Sequence, residues 1–140
     1  MKLIKYIFIL ILTLCFGKIT FAQSDKVDAQ RVSFITEKIK LTTAEAQSFW
    51  PLYNEYNDKV KNLRKNFKTN FGNKDDFKTD KEADDFLNAE IKLKQSEVDL
   101  RKEYTDKFKK VLGSKKTAQL RKAEDEFLRI LINTAKGNGT

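Results

Sequence analysis

An all-α chain is expected from three features of these 140 residues. Thr42 followed by Glu45 has the spacing of a capping box, in which the threonine hydroxyl accepts from the Glu45 N–H and the carboxylate reaches back to the Thr42 N–H. Directly after it, Phe49, Tyr53, Tyr56, Val60, Leu63 and Phe67 recur at steps of four and three, an apolar seam of period 3.5. No stretch keeps the period-two alternation of a half-buried strand.

The first segment is a leader rather than a domain element. Lys2 and Lys5 make a charged start, Tyr6 to Phe16 is an unbroken run of apolar residues and threonine, and Thr20-Phe21-Ala22 is a small-residue cleavage site. Residues 1–22 are therefore expected to be a signal peptide, cleaved on export to the periplasm. A spanning anchor fits less well, because the eleven residues of the run rise only ~16 Å against a ~30 Å hydrocarbon core. A lipid anchor on Cys15 would need a small residue where Leu14 stands. Cleavage removes the one cysteine, so packing and not a disulfide must stabilise the exported chain. It also removes Lys2, Lys5 and Lys18, lowering the net charge from +8 to +5. Residues 23–134 suit one domain, with a disordered tail over 135–140. Export separates the protein from nucleic acid, so its basic excess points to anionic client segments or membrane headgroups.

Four helices follow in order. The first is expected over Lys26–Lys40, with Val32, Ile35 and Ile39 on one face. The second runs from Thr43 to about Asn70 and contains Pro51, which lacks the donor for the Gln47 carbonyl and predicts a kink there. Gly72-Asn73-Lys74-Asp75-Asp76 reads as the loop. Thr79 and Glu82 repeat the capping-box spacing and open a third helix reaching about Leu112. Gly113-Ser114 stops it and caps a fourth over about Lys115–Ile132, with Leu120, Ala123, Phe127, Ile130 and Leu131 on its apolar face. At ~1.5 Å per residue the second and third helices are ~42 and ~50 Å long. Two long antiparallel helices flanked by two short ones predict an elongated four-helix body, since a compact bundle needs comparable lengths.

Three surfaces are candidates for binding. On the third helix, Phe86, Leu93, Leu100, Tyr104 and Val111 form one apolar stripe, and Leu87, Ile91 and Val98 form a second. Between them Glu90, Lys94, Glu97 and Arg101 place opposite charges four apart, worth only ~0.2–0.5 kcal/mol per pair. This strip is either a solvated ladder between packing faces or part of a dimer contact or client groove. Two apolar stripes need two neighbours, and a second copy of the chain is the simplest, so a homodimer with coiled-coil character is expected. On the second helix Lys61, Arg64, Lys65 and Lys68 cluster beside the seam. Cations near a helix C-terminus favour its dipole, which explains the cluster without function; alternatively it steers acidic unfolded chains. Trp50 points 80–90° away from Phe49 and Tyr53, and is either core or a partly exposed dimer contact.

Catalytic chemistry has few bearers. The chain has no histidine, its cysteine lies in the leader, and its serines have neither a histidine base nor a nucleophile elbow. Asp75/Asp76 and Asp84/Asp85 are adjacent, and neighbours on a helix diverge by 100°, so they read as solvated. Imidazole and thiolate ligands for transition metals are missing from the exported chain, and Asn73-Lys74-Asp75-Asp76 lacks the calcium-loop pattern. No enzyme, cofactor or metal is expected.

Leu41-Thr42-x-x-Glu45 followed by Phe49-Trp50-Pro51-x-Tyr53-x-x-Tyr56 resembles the LTxxQ-motif family of small helical periplasmic proteins, which includes the Spy/CpxP stress chaperones and relatives described as sensors for extracytoplasmic-function sigma factors. Arg101-Lys102-x-Tyr104-x-x-Lys107-Phe108-Lys109-Lys110-Val111-Leu112 and Ala123-Glu124-x-x-Phe127 extend the likeness over most of the chain after residue 27. Glu45 stands where the family has glutamine, and the second motif is reduced to Leu112-Gly113-Ser114-Lys115-Lys116-Thr117. The resemblance implies a cradle-like fold and an ATP-independent chaperone that binds unfolded envelope proteins. Its alternative implication is a stress sensor contacting a membrane anti-sigma or sensor protein.

Overall fold

In the computed structural model, residues 19–72 and 76–137 are described, with side chains from Lys26 onward. They form three helical runs: α1 (Ile19–Lys38), α2 (Thr43–Phe71) and α3 (Asp80–Gly137). No strand occurs among the described residues. None of these helices is long and apolar enough to cross a membrane. The charged start at Lys2 and Lys5, the run Tyr6–Phe16 and Cys15 lie outside the described residues, as do Asn73–Asp75 of the predicted loop.

Local chemistry explains the helix ends. Lys40 adopts φ 50°, a left-handed conformation that stops α1, and its N–H donates to the Glu37 carbonyl at 3.2 Å. Thr42 is extended and completes the capping box of α2: Glu45 N–H donates to Thr42 Oγ1 at 3.2 Å, and Thr42 N–H donates to Glu45 Oε2 at 2.8 Å. The helix then continues through Pro51 to Phe71. At its end the Gly72 N–H donates to the Lys68 carbonyl at 2.7 Å, so closely that a Cβ on Gly72 would stand 2.5 Å from that oxygen. At the start of α3 Thr79 Oγ1 accepts from Glu82 N–H at 3.2 Å. The Glu82 carboxylate reaches one residue further back than expected, to the Lys78 N–H at 3.1 Å.

The third and fourth predicted helices form one run with a single non-helical residue, Gly113, at φ 75° and ψ 163°. That conformation is open essentially to glycine alone. Thr117, which is buried, donates its hydroxyl to the Gly113 carbonyl at 2.8 Å, which ties the first turn after the break to the glycine. The run ends beyond the predicted Ile132. Where a disordered tail was expected from Ala135, the helix continues to Gly137, because no breaker intervenes and Thr134 donates to the Ile130 carbonyl. Residues 138–140 lie outside the described residues.

The chain divides into two compact units, 1–40 with 122–140 and 41–121. In the first, Ile35, Ile39, Ala123 and Phe127 are buried. Phe34 packs on Phe127 at 5.6 Å between ring centroids, Arg31 lies 5.8 Å from the same ring, and Lys38 pairs with Glu126 at 2.7 Å. These contacts centre the buried arc of α1 between Phe34 and Ile39. Val32, expected on the apolar face, is turned some 90° from that centre and is 42% exposed. Ile130 likewise falls at the edge of the arc built on Leu120, Ala123 and Phe127, and is exposed.

The second unit is an antiparallel hairpin of α2 and the first part of α3. As residue numbers rise along α2, those of their partners fall: Glu45 meets Lys116, Phe49 and Tyr53 meet Phe108, Tyr56 meets Tyr104, Arg64 meets Glu97, and Phe67 meets Phe86. The predicted seam of α2 is therefore the face against α3. Phe49, Tyr53, Tyr104, Phe108, Leu112, Thr117 and Leu120 are its buried residues.

Candidate functional site

The surfaces singled out by sequence lie on the hairpin, and its register sorts them. Around the motif at 41–56, Phe49 and Tyr53 are buried, Leu41 and Trp50 are half-buried, and Pro51 is exposed. Trp50 packs edge-on against Phe49 and Tyr53 at 4.9 and 5.4 Å, and Phe49 meets Phe108 from α3 at 5.4 Å. Lys116 Nζ donates to both oxygens of Glu45, at 2.8 and 2.6 Å. The two stretches tied to the motif pattern, 41–45 and 112–117, are thus joined by one ion pair. Lys116 first, and then the Thr42 N–H, hold the Glu45 carboxyl below its ordinary value.

Deeper along the hairpin the Tyr104 ring is fully buried and flanked by charge. Lys59 Nζ lies 5.1 Å and Lys107 Nζ 4.2 Å from its centroid. Lys59 pairs with Glu55 at 2.9 Å and Lys107 with Glu103 at 2.7 Å. The Tyr104 hydroxyl is enclosed without a well-aligned hydrogen bond. Standing beside Glu55 and Lys59, it lowers the carboxyl, with help from Lys59, and raises the ammonium, with help from Glu55. The sequence reading named neither ion pair, although spacing four apart is a signal for both; that they converge on one tyrosine required the register of the two helices.

The polar strip does not form the expected ladder. Glu97 pairs across the hairpin with Arg64 at 2.6 Å and touches Lys94 only at 4.0 Å, in place of Arg101. Only 14% of the Glu97 side chain is exposed, so the guanidinium facing it from α2 outcompetes a partner on the solvent side of its own helix. Glu90 and Arg101 are exposed. Of the basic cluster, Arg64 is drawn into that bridge, whereas Lys61, Lys65 and Lys68 stand on the exposed side of α2.

The two stripes of α3 differ in fate. Phe86, Leu93, Leu100, Tyr104 and Val111 are buried or half-buried, joined by Phe108 and Leu112, which the sequence reading did not place with them. Leu87, Ile91 and Val98 are 52%, 68% and 57% exposed. Glu90, Lys94 and Gln95 line a shallow depression with Ile91 and Val98.

A second groove lies between the helices. Lys59, Asn62, Leu63 and Asn66 from α2 and Ser96, Asp99, Leu100 and Glu103 from α3 line this open groove of about 460 Å³. Leu63 and Leu100 belong to the predicted apolar rows, whereas Asn62, Asn66 and Ser96 carried no sequence signal. Among the described residues no three histidine, cysteine or carboxylate side chains converge as metal ligands. No protein-family model, curated protein or solved structure matches this chain.

Proposed function

We propose that this is an exported, non-enzymatic, ATP-independent chaperone of the Spy/CpxP type, which transiently binds unfolded envelope proteins. The observation that carries the reading is the row Leu87, Ile91 and Val98, an apolar stripe about three helical turns long left open beside the strip of Glu90 and Lys94. Exposed apolar patches of this kind mark contact with other chains. Lys61, Lys65 and Lys68 support it, because exposed cations accelerate encounter with acidic segments that aromatic and aliphatic side chains then retain. In this reading residues 1–22 direct export and the break at Gly113 separates the third and fourth helices of a four-helix cradle. A second copy of the chain covers the stripe of Leu87, Ile91 and Val98 when no client does, and the basic side of α2 stays open to clients in either state.

The test is suppression of aggregation of several unrelated denatured proteins without nucleotide. Protection of many clients that weakens with salt and with Lys61→Glu, Lys65→Glu and Lys68→Glu is the expected result. Protection of none, with tight binding to a single membrane regulator, would establish the sensor reading instead. Sedimentation equilibrium decides the pairing: Ile91→Ser with Val98→Ser should shift a dimer to monomer, and a wild-type monomer at high micromolar concentration removes the dimer.

A further inference from the structure

The groove between α2 and α3 has walls that are polar and a floor that is not. Leu63 and Leu100, both half-buried, form the floor. The two charges at one end are neutralised within the protein, Lys59 by Glu55 and Glu103 by Lys107. Around the rest of the rim stand Asn62, Asn66 and Ser96, whose side chains make no hydrogen bond among the described residues. Asp99 accepts a hydrogen bond from the Gln95 amide at 2.9 Å and, among the described residues, forms no ion pair.

From this arrangement we infer that the groove seats a short extended peptide segment: one apolar side chain on Leu63 and Leu100, with a basic residue beside it facing Asp99. An anion would need an unpaired cation, and the lysine here is already engaged; a metal cation would need several converging carboxylates, and among the described residues none converge. An extended backbone instead brings N–H and C=O groups that lose water on docking and need neutral donors and acceptors in return. Asn62 and Asn66 each supply both, and Ser96 supplies a hydroxyl. From residue 59 to residue 66 the wall is ~10 Å long, at ~1.5 Å per residue. That length spans about three extended residues at ~3.3 Å each. So small a contact gives weak, rapidly exchanging binding, as a chaperone that must release its clients requires. The inference rests on the chaperone reading for its source of peptide, and adds a short apolar-basic element of a client, separate from the acidic segments that Lys61, Lys65 and Lys68 attract.

Fluorescence anisotropy tests it with a labelled unstructured twelve-residue peptide bearing a central leucine flanked by lysines, beside a reduced and alkylated unfolded protein as the long client. Wild type should bind both. Asn62→Ala, Asn66→Ala and Ser96→Ala together should weaken the peptide at least tenfold, with the circular dichroism of the protein unchanged. Asp99→Asn should weaken the lysine-flanked peptide and leave a serine-flanked version unaltered. Undiminished peptide binding by the triple variant overturns the groove. So does a wild-type protein that binds the long client but not the peptide, which leaves the chaperone reading standing. Groove-dependent peptide binding with no binding of the long client supports the groove and overturns the chaperone reading.

Discussion

Glu45 does two jobs at once. Its carboxylate caps the Thr42 N–H and accepts two bonds from Lys116. Loss of the cap alone, by Thr42→Ala, should lower stability by about 0.5–2 kcal/mol in a thermal or urea melt. The ion pair has a pH signature. Glu45 has a folded pKa below its ordinary 4.5, so its contribution is complete above that value and is lost as pH falls through the lower, folded one. Lys116→Met should therefore be less stable than wild type at neutral pH, with the two melts converging as pH drops below 4.5. Parallel curves throughout would mean that the pair contributes nothing. The sequence showed the cap, because capping is local; it did not show Lys116, which is 71 residues away.

At the level of elements, Gly113 is the sharpest case. A Cβ there would meet nothing within 4 Å, so Gly113→Ala tests backbone conformation alone. With φ 75° and ψ 163°, the substitution should cost roughly 1–3 kcal/mol, measured by chemical denaturation. The two sides of α3 provide another contrast. Phe108 is only 6% exposed and touches Phe49, Tyr53, Tyr56 and Tyr104. Phe108→Ala should cost about 3–5 kcal/mol. Ile91→Ser, on the open side, should stay within about 0.5 kcal/mol under conditions where the protein is monomeric. Spacing placed the apolar rows of α3 on two faces but did not rank them, and it assigned Phe108 to neither.

For the molecule as a whole, the leader and the charge balance belong together. If residues 1–22 are cleaved, mass analysis of the exported protein should show a chain starting at Gln23, whose net charge is +5. An intact Met1 or a lipid on Cys15 would remove the export reading. The chain divides between two units, each with its own buried residues: Ile35, Ile39, Ala123 and Phe127 in one, Phe49, Tyr53, Tyr104 and Phe108 in the other. α3 contributes to both. Its periodicity alone gave no sign of that division, since apolar spacing reports a face but not which segment covers it.

Local spacing was enough to say that the chain is helical, where α2 starts, and that Phe49 to Phe67 line one side of it. Caps and 3.6-residue periodicity act within a few residues, so they are written in the chain itself. Tertiary structure alone decided the rest. Phe86–Leu93–Leu100 and Leu87–Ile91–Val98 are both apolar rows on one helix, and only the register of α2 against α3 covers the first and leaves the second open. The same register drew Arg64 out of the basic cluster to Glu97 and brought Asn62, Asn66, Ser96 and Asp99 around one groove. Burial and pairing belong to two partners at once, and a partner distant in sequence is found only when the chain has folded.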